Sequence, residues 1–308
     1  MKETHARQNT FAILAALIWG TAFVAQSVSA KYLAPFTFNT LRAMIGFVFL
    51  LAVELLMRRR RTDGARAGGV SERRAYRKQL LLGGASCGAA MAVAVNFQQK
   101  GIETTSSGKA GFITALYIVI VPILGIFFKK RASRTVWIGV VLAVAGLYCL
   151  CVQEDFSIAP GDFYILICAL CFSAQILLID YFSQRVDGIE LSCAQLFFTG
   201  VLSGVGMLAT ETPAASAIRA CLWPLLYVGV VSSGVGYTLQ VLAQKDSNPT
   251  VISLLLSLES VFATLAGAVI LHDRMSGREI LGCVLMLCAV VLAQLPAGAG
   301  RRPGAAEK

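Results

Sequence analysis

Charge is scarce in this sequence. Only 14% of its 308 residues are Asp, Glu, Lys or Arg, against about 25% in soluble domains. A chain this poor in charge cannot face water on all sides, which excludes an ordinary soluble globular protein. Histidine is scarcer still, with His5 and His272 far apart, and no paired-acid or His-rich motif accompanies them. No metal site is legible and no cofactor is expected. The nucleophile and base, or the metal ligands, of a membrane-embedded lipid enzyme are also missing, so the chain reads as a non-enzyme. Short segments of alternating polarity, the mark of a membrane β-barrel, do not occur. No small-residue cleavage site follows the first apolar run, so a cleavable signal peptide is not expected.

What is abundant is apolar residues, at 56%, with a mean hydropathy of +0.70. A bilayer core about 30 Å thick needs about 20 apolar residues of helix. Ten runs qualify: 11–30, 36–57, 79–98, 106–128, 135–152, 162–181, 191–210, 221–243, 250–271 and 279–295. Each must satisfy its own backbone hydrogen bonds in lipid and therefore reads as a helix. The fold class is all-α integral membrane. Nine cysteines fall in or beside these runs. Cys168 and Cys171 share a helical face, but small apolar packing residues are the plainer reading.

The formal net charge of +10 does not indicate a nucleic-acid partner, because the basic residues gather between apolar runs rather than along one face. With both tails on one side, twenty lysines and arginines fall on that side. Six (Lys31, Lys100, Lys109, Arg219, Arg274 and Arg278) fall on the other, and Arg42 lies within a span. Excess positive charge marks the cytoplasmic side. Both termini are therefore expected in the cytoplasm, in an inner or plasma membrane with the lipid bilayer as one partner.

Residues 11–150 and 162–295 form a weak repeat. Ala16-Leu17-Ile18-Trp19-Gly20 answers Ala169-Leu170-Cys171-Phe172-Ser173, and Ser133 with Gly139 answers Ser276 with Gly282. Gln99-Lys100 loosely answers Gln244-Lys245. Five spans per half is an odd number, so the second half enters the membrane from the opposite side. The domain expectation is 1–152 as the first repeat, with a basic cytoplasmic loop at 58–78. The inverted second repeat covers 153–296, and a cytoplasmic tail covers 297–308.

Several short motifs sit in a characteristic order across these spans. They are Ala-Leu-Ile-Trp-Gly-Thr at 16–21, Leu41-Arg42 in the second span, Gly139 with Gly146 in the fifth and Leu258-Glu259 in the ninth. In that order the chain resembles the EamA family of the drug/metabolite transporter superfamily over nearly its whole length. The resemblance implies ten transmembrane helices, arranged as two inverted five-helix repeats around a central cavity, and export of metabolites, amino acids or drugs. One departure is Ser260, where the family often has proline after the glutamate. A kink there is not assumed, whereas Pro122 is placed to bend the fourth span.

Glu259 is the sharpest single feature. A charge at mid-span costs about 2.5–3.5 kcal/mol, so it needs a partner, water or a proton. Three roles stay open: a structural partner for backbone donors or Arg42, a substrate contact, or a proton-coupling carboxylate. The helical wheel assigns Ser253, Ser257, Ser260 and Thr264 to packing and turns Glu259 inward. Arg42 reads as structural, snorkelling outward or bonding nearby carbonyls, or else as a substrate contact. Glu54 is expected at the interface. On the eighth span Ser233, Tyr237, Gln240 and Gln244 share one face, as Trp19, Phe23 and Gln26 do on the first. With Asn96, Tyr117 and Gln175 added, the expected solute-binding set is Trp19, Gln26, Asn96, Tyr117, Gln175, Tyr237, Gln240 and Glu259. The mixed wall suits a zwitterionic, neutral or cationic solute better than a phosphate ester. Coupling to protons or to an exchanged substrate stays open, and a non-transporting membrane scaffold or accessory subunit is the alternative.

Overall fold

The computed structural model describes residues 2–60, 70–104, 107–127, 133–151, 160–270 and 275–294. Much of the basic loop (61–69), the junction between the expected halves (152–159) and the tail lie outside them. Among the described residues nine helical stretches are long and apolar enough to cross a membrane, and Arg134–Leu150 is a shorter tenth. The chain is an all-α integral membrane protein.

The first three spans are α1 (Lys2–Ala30), α2 (Pro35–Arg60) and α3 (Val70–Ile102). The fourth is split into α4 (Ser107–Ala115) and α5 (Tyr117–Phe127), and the fifth is α6 (Arg134–Cys151). Then follow α7 (Pro160–Ser183) and α8 (Gly188–Thr210). A short α9 (Ala215–Ala220) leads to an eighth span built from α10 (Leu222–Leu226), a π-helical stretch (Tyr227–Gly236) and α11 (Tyr237–Gln244). The ninth is split into α12 (Pro249–Leu256) and α13 (Glu259–Ile270), and α14 (Gly277–Gln294) closes the fold.

The repeat is visible in backbone bonding. Between α1 and α2, Tyr32 N and Leu33 N donate to Ser29 O at 3.0 and 2.9 Å, and Phe38 N donates to Ala34 O at 3.0 Å. Between α7 and α8, Arg185 N and Val186 N donate to Phe182 O at 2.9 and 3.1 Å, and Leu191 N donates to Asp187 O at 2.9 Å. Every partner in the second set lies 153 residues after its counterpart in the first.

The split spans repeat in the same way. Leu116 N bonds back to Ile113 O at 3.2 Å, and Ile120 N bonds to Leu116 O at 3.1 Å. Leu258 N and Phe262 N do the same to Leu255 O and Leu258 O at 3.2 and 2.9 Å, all 142 residues later. Tightening to three-residue bonds ends one half-helix and starts the next. Pro122 obstructs only the Ile118 carbonyl, beyond the break at Leu116. The ninth span breaks at the equivalent place with Ser260 instead of proline, so neither interruption needs one.

The sequence halves interdigitate. The first span packs on the eighth and ninth, and α3, α4, α5 and α7 pack together in the equivalent way. These two bundles each draw on both halves and are joined where α2 meets α8. Gly84 and Gly88 admit α8 against α3, and Gly200 admits Met44 of α2. These glycines therefore serve contacts inside the chain. The hydroxyls of Ser253, Ser257 and Thr264 return to their own helix, at Thr250 O, Leu254 O and Ser260 O. That leaves their face free for close packing.

Apart from both bundles, α6 and α14 form an antiparallel pair. A Cβ on Gly146 would stand 2.9 Å from Gly282 O, one on Gly282 would stand 2.8 Å from Gly146 O, and one on Gly139 would stand 3.0 Å from Ala289 O. At the repeat offset of 143, Gly139 maps to Gly282 and Gly146 to Ala289, so the seam maps onto itself as an isologous contact does. Gly146→Val and Gly282→Val should each cost about 1–3 kcal/mol by overpacking, and less than the sum when combined. Thermal denaturation in detergent checks this, and an unchanged midpoint in both variants would show the seam to be dispensable.

Candidate solute cavity

Between the bundles lies a narrow cavity lined by both polar and aromatic side chains. Its wall includes Trp19, Gln26, Arg42, Tyr117, Gln175, Tyr237, Gln240 and Glu259. Of the expected residues, Asn96 stands elsewhere. It accepts from Asn39 Nδ2 at 3.0 Å and donates to Ser203 Oγ at 2.7 Å, tying α2, α3 and α8 together. Gln98 takes the expected place of Asn96 in the wall and donates to Thr114 Oγ1 at 3.2 Å. Polar residues 96, 98, 99 and 100 ring the end of α3 on every side, so periodicity could not choose among them.

Span eight corrects a second expectation. Ser232 faces the cavity instead of Ser233, and Gln244 turns away to donate to Ile176 O at 2.7 Å. The cause is the π-helical stretch, whose i→i+5 bonding brings residues five apart into line, so Ser232 aligns with Tyr237. Gly236 accommodates Trp19 beside this widened turn, since a Cβ there would lie 2.7 Å from the indole nitrogen. Trp19 Nε1 donates to Ser232 O at 3.3 Å, and its ring tilts against Tyr237 at 4.9 Å. Phe172, the repeat counterpart of Trp19, lies in the wall as well. The offset of 153 was the signal that could have found it.

Arg42 is 4% exposed and does not snorkel. Its Nη1 donates to Gln26 Oε1 at 3.1 Å, and the guanidinium lies 5.6 Å from the Phe38 ring centroid. Its repeat counterpart at the same offset is the neutral Gln195, buried behind the wall where it accepts from Gln175 Nε2 at 3.1 Å. Glu54 is likewise buried.

Glu259 opens α13, and Tyr117 opens α5 at the equivalent position. The two meet across the pseudo-symmetry axis, with Tyr117 Oη donating to Glu259 Oε1 at 3.4 Å. Among the described residues no ion pair within 4.0 Å joins Glu259 to Arg42. The cavity thus presents one cation and one carboxylate that leave each other's charge uncompensated. Both belong to the bundle of spans one, two, eight and nine, Arg42 being tied there through Gln26.

The cavity is closed unequally. On the side of residues 8, 245 and 294, which Gln8 Nε2→Lys245 O and Asn9 Nδ2→Gln294 Oε1 (3.1 Å) bring together, α12 packs on α5 and α11 on α7 and α8. On the far side the equivalent pair, α4 and α13, makes no comparable contact among the described residues.

Comparison with known proteins agrees with this architecture. Residues 7–152 and 159–295 each match the EamA-like transporter family. An uncharacterized transporter of Archaeoglobus fulgidus is 30% identical over 92% of this chain and 84% of its own length. One from Bacillus subtilis is 22% identical over 90% and 92%. A chloroplastic WAT1-related protein of Arabidopsis thaliana is 23% identical over 91% of this chain and 67% of its own. A solved crystal structure superposes with a TM-score of 0.76 over 94% of this chain and 96% of its own, at 19% identity, and so shares the fold.

Proposed function

This chain belongs to the EamA-like transporter family, and from that premise we propose that it exports a small zwitterionic organic solute by alternating access. The observation that carries the reading is the uncompensated pair of opposite charges in one cavity. Burying each costs about 2.5–3.5 kcal/mol, a cost that a solute bearing both charges offsets by pairing with the two. Arg42 would take the carboxylate through its guanidinium fork, Glu259 the ammonium group, and Trp19, Phe23 and Phe172 the apolar body. Inverted repeats supply two equivalent packings, one open to each side. The excess of lysine and arginine on the side of both ends supports a cytoplasmic assignment for it.

Uptake by proteoliposomes across a panel of zwitterions, amines, carboxylates and neutral solutes, with and without a pH gradient, tests this. No uptake of any zwitterion would reject the substrate class, and no uptake at all would favour a membrane scaffold.

A second experiment isolates Arg42. A hydrogen bond to a charged group contributes about 1.5–3 kcal/mol, so Arg42→Gln should weaken a zwitterion by at least about tenfold. The same solute with its carboxylate converted to an amide should bind both proteins alike in competition assays. Equal losses for acid and amide would remove Arg42 from the carboxylate contact.

A further inference from the structure

We infer that Glu211 is a positioning residue: by capping α2 from the end of α8, it pins one end of the junction about which the two bundles move. This rests on the two-state reading proposed above. The α2–α8 junction is antiparallel and maps onto itself at the offset of 153. A Cβ on Gly200 would stand 3.0 Å from Met44 Sδ. The contact equivalent to Met44–Gly200 is Phe197–Phe47, whose ring centroids lie 5.2 Å apart. Each bundle thus presents the same kind of surface to the other, as in an isologous interface.

The ends of the junction depart from that symmetry. A helix begins with N–H groups that its own turns cannot satisfy. At α8 the chain meets this locally, because Asp187 Oδ1 accepts from Ile189 N at 2.9 Å and from Glu190 N at 3.3 Å. Tyr76 Oη of α3 accepts from Asp187 N at 3.0 Å and donates to Glu190 Oε2 at 2.7 Å. This end is therefore fastened within one bundle. At α2 the residue equivalent to Asp187 is Ala34, which has no side-chain oxygen to offer. Pro35 has no N–H, so Phe36 and Thr37 are the donors that need a partner. Glu211 supplies it from the end of α8. Its Oε1 accepts from Phe36 N at 2.9 Å, and its Oε2 accepts from Thr37 N at 2.6 Å and Thr37 Oγ1 at 2.7 Å. These three bonds cross from one bundle to the other. The Phe36 ring lies over Gly206, where a Cβ would stand 2.5 Å from it, so α2 and α8 meet closely at the pinned end. A carboxylate on a helix N-terminus is held by charge-assisted bonds and by the helix dipole. Held there, the bundles pivot instead of sliding along each other.

Restoring the cap without the pin tests this. Glu211→Ala removes both, and adding Ala34→Asp returns a carboxylate to the same two N–H groups from within α2's own segment, at an exposed position. Hydrogen–deuterium exchange on the full chain in liposomes reads the junction. Glu211→Ala should speed exchange of the Phe36 and Thr37 amides by about 10- to 150-fold, the worth of a hydrogen bond to a charged group, and should speed exchange in 204–211 as well. Adding Ala34→Asp should restore the two amides and leave 204–211 fast. Counterflow of a zwitterion that the unmodified protein carries gives the second readout. Its turnover should fall about fivefold or more in Glu211→Ala, the low end of coupling between separate sites, with half-saturation unchanged, and should stay low in the double variant. A mere cap would be rescued by Ala34→Asp in every readout. That rescue, unchanged turnover in Glu211→Ala, or unchanged exchange in 204–211 overturns the pin. If the unmodified protein carries no zwitterion, the solute reading fails and exchange in 204–211 alone decides the pin.

Discussion

Glu259→Gln should leave a folded protein that still exchanges solute across the membrane but no longer accumulates it when a pH gradient is imposed. Glu259 is the one acid among the described wall residues, 8% exposed, and accepts a hydrogen bond from Tyr117 Oη. A carboxylate so placed meets the cost of burial by holding a solute cation, a proton, or each in turn. Glutamine keeps its size and its ability to accept from Tyr117 but cannot carry a proton. Exchange of bound solute for bound solute needs no net proton movement and should persist at about tenfold higher solute concentration, the cost of the lost ammonium contact, whereas gradient-driven accumulation should fall to the equilibrium level. The measurement is uptake against time in proteoliposomes with an acidic or neutral interior. Undiminished accumulation would assign Glu259 to the solute or to structure and end the coupling reading.

Gly20→Leu should nearly abolish transport while the protein still inserts. A Cβ at Gly20 would stand 2.6 Å from Phe262 Cβ, 2.7 Å from Glu259 O and 2.8 Å from Ala263 N. Two of those three atoms are backbone, so no rotamer change relieves the contact, and α13 must move away from α1. Overpacking of this kind costs about 1–3 kcal/mol. The functional loss should be larger, because the displaced turn is the one that carries Glu259, and an ångström of misplacement can cost about 100-fold where geometry matters. Gly20→Ala should fall between the two. Solute titrations beside thermal midpoints distinguish this from unfolding: a leucine variant with ordinary transport would show that the α1–α13 contact is free to open.

Much of this was legible in the sequence because lipid makes hydropathy decisive. All ten spans were readable, as were the inversion and the inward turn of Glu259. Arg42 and the other wall residues shared by both readings lie on strongly periodic helices. What was not legible depends on departures from the ideal helix. The breaks at Leu116 and at Ser257–Leu258 lie inside unbroken apolar runs, and only Pro122 hinted at one of them. The π-helical turn exchanged Ser232 for Ser233, which no period of 3.6 residues could anticipate. Asn96 was misplaced because polarity surrounds the end of α3. The mixing of the two sequence halves within each bundle is a property of tertiary pairing, and internal similarity gives the offsets without saying which helices touch.

The two charges of the cavity ride on the same bundle, one contributed by each half of the sequence. If the bundles rock as bodies, Arg42 and Glu259 keep their separation, and the empty carrier moves a net charge near zero through the membrane field. A field of 100 mV is worth about 2.3 kcal/mol for each elementary charge carried across, so the unloaded return step should scarcely feel the membrane potential. A zwitterion adds no net charge either. Any dependence of net transport on voltage then counts the protons that travel with it, and a recording of current against solute flux reads the coupling ratio directly.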